Sequence, residues 1–136
     1  MSKQNTKDLV TRAYGLAQDL SALDEFLHAV AGGPPLLYRH EADAAQRLHR
    51  QICDSLVLAR RIHLWSAFRS RTLMAWNGSG FDQIDTSAYT FDWAAKCLRS
   101  IEHFFRVNRR DIMTLQKAAR RVNAAAYSEQ SGRRTG

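Results

Sequence analysis

Leu9, Ala13, Leu16, Leu20, Leu23, Leu27 and Val30 recur at alternating steps of four and three. That spacing lays apolar side chains along one helix face for three heptads, so it commits the first thirty residues to a long amphipathic helix. Asn5 or Thr6 is placed to cap it, with Asp8 in the opening turn. The run stops at Gly32-Gly33-Pro34-Pro35, a strong terminator. Those two prolines are the only ones in 136 residues, so long helices are permitted across most of the remaining chain.

A second helical stretch is expected from about Leu36 to between Ser66 and Trp76, with Ala45, Leu48, Ile52, Leu56, Ala59 and Ile62 as its buried stripe. Arg39 with Asp43 and Arg50 with Asp54 are spaced as i,i+4 pairs. A single helix of almost forty residues is unusual, so a break is expected near residues 66–71. Residues Asn77 to Tyr89 read as the one sizeable loop, opened by Asn77-Gly78-Ser79-Gly80. Thr90 is placed to cap a third helix with Asp92 in its first turn. Its apolar face runs through Phe91, Ala94, Leu98, Ile101, Phe105, Ile112, Leu115, Ala119 and Val122. Asn108 is the polar residue on that seam, and with Asp111 it also reads as a new helix start. No strand alternation persists anywhere. The expectation is an all-α antiparallel helical bundle of three long helices, or four or five if the breaks near 66–71 and 108 are real. It forms one domain over residues 1–127, followed by a disordered basic tail at 128–136.

Cys53 and Cys97 are too few and too far apart for a disulfide scaffold or a zinc knuckle. His49 and Cys53 share a helix face but have no second ligand pair, so no metal is expected. No apolar run reaches the roughly 18 residues of a membrane span, and Met1 to Asp8 lacks the apolar core of a leader. A reducing cytoplasm is the expected compartment. No histidine has an arginine at the upstream spacing of a helical ribonuclease dyad, Asp24-Glu25 reads as solvent-facing, and no glycine-rich phosphate loop follows a strand. The expectation is therefore no enzyme, no cofactor and no small-molecule substrate.

The charge is informative in its placement. The net charge is +7, with −1 over residues 1–38, +4 over 39–73, −2 over 74–98 and +6 over 99–136. Arginine supplies sixteen of the twenty basic residues, and its planar fork suits phosphate. On a helical projection started at Arg99, the residues Arg99, His103, Arg106, Arg110, Lys117 and Arg121 fall in one narrow sector. From Arg99 onward no Asp or Glu shares it. A solvated helix back normally mixes both signs, so such a face suits a polyanion. Arg99, Arg106, Arg109, Arg110, Lys117, Arg120 and Arg121 are the candidate nucleic-acid-binding residues, with the Arg133-Arg134 tail assisting. They would grip backbone phosphates without reading sequence. Five aromatics crowd the stretch from Trp76 to Trp93; of these, Trp76, Phe81, Tyr89 and Trp93 are candidate interface residues if they do not plug the bundle end.

These features support three functional expectations. The first is a non-catalytic small subunit that binds nucleic-acid backbone in a larger nucleoprotein complex, with other protein subunits or further copies of itself as partners. In size, basicity and helical make-up the chain is similar to the small subunits of CRISPR effector complexes. The second is a protein-binding adaptor or inhibitor of phage or plasmid type that uses the aromatic segment 76–93. The third rests on Arg106-Val107-Asn108-Arg109-Arg110-Asp111-Ile112, which resembles the turn and second-helix start of a helix-turn-helix. That resemblance implies a DNA-binding regulator.

Overall fold

Thr90 sits in extended backbone (φ −94°, ψ 167°), and its hydroxyl accepts the Trp93 N–H at 3.2 Å. A cap placed there starts a helix on its apolar register, and Asp92 in the first turn complements the helix dipole. The computed structural model describes residues 3–32, 36–68, 74–85 and 89–135. It is mostly helical, with α1 at Lys3–Ala31, α2 at Arg39–Phe68, α3 at Phe91–Val107 and α4 at Arg109–Thr135. A short antiparallel hairpin, β1 at Met74–Trp76 and β2 at Phe81–Gln83, interrupts them.

The apolar stripes of all four helices meet in one core. Leu20, Leu48, Ile52, Ile62, Ile101 and Leu115 are its fully buried large side chains. Every one of them lies on an apolar face anticipated from spacing. The register differs at two places: Phe104 and Ala118 are buried, whereas Phe105 and Ala119, expected on the seam, are only partly so. The α2 stripe is also wider than expected, taking in Ala44, Ser55 and Trp65.

Contacts along α2 show the order in which the later helices pass it. Glu41 meets Arg121, Arg47 meets Asp111, Gln51 meets Asn108, and the Trp65 ring packs edge-on against Phe91. Each step forward along α2 is a step backward along α3 and α4. The C-terminal residues of α1, from Leu27 to Ala31, share a cavity with Ala42 to His49 of α2. Val10 to Glu25 of α1 share another with Leu56 to Ser66.

Several expectations are corrected. The break at Asn108 is real: its backbone (φ −106°, ψ 21°) leaves helical values, and its N–H and side-chain amide both close the end of α3 on the Phe104 carbonyl at 3.0 Å. The same amide donates to Gln51 Oε1 at 3.3 Å, tying the break to α2. The Asn108 carbonyl then accepts the Ile112 N–H at 2.9 Å and opens α4. The helix backbone runs on to Thr135, past Ser128 where a disordered tail was expected, since no proline follows and Ala124-Ala125-Ala126 favours helix. The expected break near 66–71 falls where α2 ends, at Phe68, and α1 ends at Ala31 just before the Gly-Pro stop; residues 33–35 and 69–71 themselves lie outside the described residues. At the other end, α1 begins at Lys3, so Asn5 and Thr6 are inside it and neither caps it.

The largest correction is the hairpin, where only a loop was expected over 77–89 and no strand anywhere. Asn77 builds it: its Oδ1 accepts the N–H groups of Ser79 (2.9 Å) and Gly80 (2.8 Å), while its own N–H donates to the Gly80 carbonyl at 2.9 Å. Gly78 takes φ +102°, which a side chain would resist. Trp76 faces Phe81 across the pair, their rings 5.1 Å apart edge to face. An Asn-Gly turn between apolar residues is the pattern that signals such a hairpin.

Candidate nucleic-acid interface

Arg99, His103 and Arg106 project from α3, and Arg109, Arg110, Lys117 and Arg120 from α4; all seven side chains are exposed. Among the described residues, none of them is within ion-pair distance of a carboxylate. Arg106, Arg109 and Arg110 straddle Asn108, so three exposed guanidinium groups crowd one turn of chain. Arg106 stands at the last turn of α3, where the helix dipole favours a cation. Arg109 and Arg110 stand in the first turn of α4, where it does not. A pair of cations kept there at an electrostatic cost suits an anion supplied from outside.

The acids interleaved with these cations are engaged elsewhere. Glu102 of α3 accepts a charge-assisted hydrogen bond from Arg12 of α1. Asp111 of α4 is held by Arg47 of α2 through two parallel N–H bonds of 3.0 Å each. That fork, with a smaller contribution from the neighbouring Arg110, holds the Asp111 carboxyl below the usual carboxylate range. Both Arg12 and Arg47 are held more firmly protonated by these partners. The local pairs Arg39–Asp43 and Arg50–Asp54, expected from spacing, are absent among the described residues, while Arg47 reaches across to α4. A bidentate fork on a fixed carboxylate beats a loose exposed i,i+4 pair. Continued back two turns, the stripe's sector also includes the exposed Asp92, which trims the positive face at the start of α3.

Arg121 does not belong to the free stripe. Its guanidinium holds both oxygens of Glu41, at 2.7 Å for Nη2–Oε1, and Nη2 also donates to the Leu36 carbonyl at 2.8 Å. Its cationic carbon lies 4.4 Å from the centre of the Tyr38 ring. Glu41 is buried, and it also accepts the Tyr38 N–H at 2.8 Å, the back half of a capping box at the start of α2. The Arg121 bond, more than the backbone bond, lowers the Glu41 pKa against the opposing effect of burial. Arg121 therefore ties α4 to the opening of α2. Its projected position was right and its partner was not visible. The only signal was Glu41 three residues after Tyr38, without the Ser or Thr that normally marks a capping box.

The aromatic candidates divide. Trp76 and Phe81 are 62% and 65% exposed on the same face of the hairpin, with Met74 beside them. Trp93 is half-buried against the core and packs edge-on against Tyr89 at 5.0 Å. So Trp93, with Phe91 and Trp65, closes one end of the core, whereas Trp76 and Phe81 do not. The side chains of Arg133 and Arg134 lie outside the described residues. Among the described residues no group of His, Cys, Asp and Glu forms a metal cluster, and no helix is long and apolar enough to cross a membrane. The junction at Asn108 is a single residue, where a helix-turn-helix takes a turn of three or four.

No protein-family model, curated protein or solved structure matches this chain.

Proposed function

We propose that this chain is a non-catalytic helical protein that contacts nucleic-acid backbone through Arg99, Arg106, Arg109, Arg110, Lys117 and Arg120, as a small subunit of a larger nucleoprotein assembly. One observation carries the reading. Arg106, Arg109 and Arg110 are exposed and unpaired among the described residues, while the acids between and beside them, Glu102 and Asp111, are bound by arginines of other helices. Phosphate is the anion that such guanidinium forks suit, and a row of them without shaped polar neighbours binds backbone, not bases. The reading includes an antiparallel bundle, supported by the order of contacts along α2, in which α3 and α4 form one kinked rod that presents the stripe. The working compartment in this reading is the cytoplasm.

The test is fluorescence anisotropy with random duplex and single-stranded oligonucleotides at two salt concentrations. Binding that ignores sequence and weakens steeply with salt is expected. Absence of binding at low salt ends the reading.

A second reading is favoured by a separate observation: Met74, Trp76 and Phe81 form an exposed apolar face on a hairpin that stands off the helices. Aromatic anchors of this kind carry protein interfaces, so an adaptor or inhibitor that docks through the hairpin is the alternative. Loss of a protein partner on Trp76→Ala, with nucleic-acid affinity unchanged, would select it.

A further inference from the structure

The outer groove between α1 and α2 has a polarity of its own, independent of the stripe. Its floor is apolar and built from small residues such as Ala13, Ala17 and Ala59, enclosing about 350 Å³. Tyr14 stands exposed on its α1 rim. Val10 on α1 and Leu56 on α2, both partly buried, continue the apolar lining on its two walls. Single exposed apolar residues are ordinary, but a patch of them around an open groove marks a contact surface.

Charge is sorted along the same groove. From Ala13 to Ala31, α1 has no Lys or Arg and carries Asp19, Asp24 and Glu25. Asp24 is engaged by His28, at 3.4 Å from carboxylate to ring nitrogen, while Glu25, which also lines the groove, has no ion pair among the described residues. The α2 wall supplies Arg60, exposed and without an ion pair among the described residues. In the antiparallel arrangement proposed above, Ser66 lies beside Val10, so Arg60 is level with about residue 16 of α1. Glu25 is then roughly nine residues further on, or ~14 Å along the axis.

A surface with a cation at one end, an acid at the other and small residues between is complementary to itself when turned end for end. We infer that two copies of this chain associate through this groove about a two-fold axis near Ser21, with Arg60 of each facing Glu25 of the other. The isologous geometry makes each ion pair occur twice, and Ala17 and Ser21 at the axis let the two α1 helices approach closely. Tyr14, Val10 and Leu56 supply the apolar contact that charge alone would not. The stripe on α3 and α4 takes no part, so the inference rests on the helix arrangement and not on nucleic-acid binding.

The test is sedimentation equilibrium on nucleic-acid-free protein over a range of concentrations. The expected result is a mass of twice the 15.5 kDa chain. Arg60→Glu and Glu25→Arg should each weaken association by about tenfold or more, because each places two like-charge contacts in the interface. The double variant, with both reversals, should recover the wild-type association. Circular dichroism confirms that all three remain helical, as exposed positions should. A monomer at every concentration overturns the inference. So does a dimer that ignores both single reversals, or a folded double variant that stays monomeric.

Discussion

Arg121 and Glu41 lie 80 residues apart in the chain, yet the guanidinium of one closes on both carboxylate oxygens of the other. The Glu41 side chain is 5% exposed, so a missing partner cannot be replaced by bulk water. Arg121→Ala should therefore lower the melting temperature, whereas Lys117→Ala and Arg120→Ala, on the exposed side, should leave it nearly unchanged. Equal melting temperatures for the three would show that the latch contributes nothing.

The same pair gives a pH dependence of definite sign. Glu41 and Asp111 both have folded pKa values below their ordinary ones, 4.5 and 3.8 respectively, chiefly through Arg121 and Arg47. A depressed carboxylate contributes stability that is fully present above its unfolded pKa and is lost as pH falls through the folded one. Urea midpoints should thus hold from neutral pH to about pH 5 and decline below about pH 4.5. Glu41→Gln should be less stable at neutral pH and show a shallower acid decline. An unchanged acid limb in that variant would remove Glu41 from the account.

Core substitutions test the register of the packed face. Leu20 is fully buried, and Leu20→Ala should cost about 2–5 kcal/mol. Phe104→Ala should cost about 3–5 kcal/mol. Phe105→Ala, at a half-buried position, should cost less. Chemical denaturation of the three variants checks the order, and a larger loss at Phe105 would contradict the register.

For the stripe, Arg106→Glu with Arg110→Glu should weaken binding to all oligonucleotide sequences alike. It should also flatten the salt dependence by about two units, one for each phosphate that no longer has its guanidinium. Arg121→Ala should not flatten it, because that guanidinium is already committed to Glu41. If the double variant is folded and binds as the parent does, nucleic acid docks on another face.

Asn77→Ala removes the three acceptor contacts and the backbone-directing turn that set the hairpin. A two-stranded ribbon off the core has little else to hold it. Amides from Trp76 to Gln83 should exchange faster in the variant, with the helices unaffected. Wild-type exchange there should already be faster than in α1, and equal protection would mean that the hairpin is braced by the core.

Helical periodicity is a local property, repeated every turn, so the seams of α1, α2, α3 and the start of α4 could be read from spacing alone. So could the Thr90 cap, since a cap is satisfied within four residues. Asn108 was legible as a choice between continuity and a break, and Gln51 of α2 participates in deciding it. The hairpin was written in Asn77-Gly78 with Trp76 and Phe81 on either side, but strands of three residues are too short for alternation to register. The exposure of the stripe also follows from spacing, being the reverse of the apolar seam. The fate of its charges does not, because an ion pair depends on which helix lies opposite. Arg47 stands four residues from Asp43 and sixty-four from Asp111, and it takes the distant acid because folding brings that carboxylate into the geometry of its fork. Sequence thus determined which faces are apolar and which are basic. Only the packing of α2 against α4 decided that Arg121 belongs to the fold while Arg106, Arg109 and Arg110 stay open to solvent.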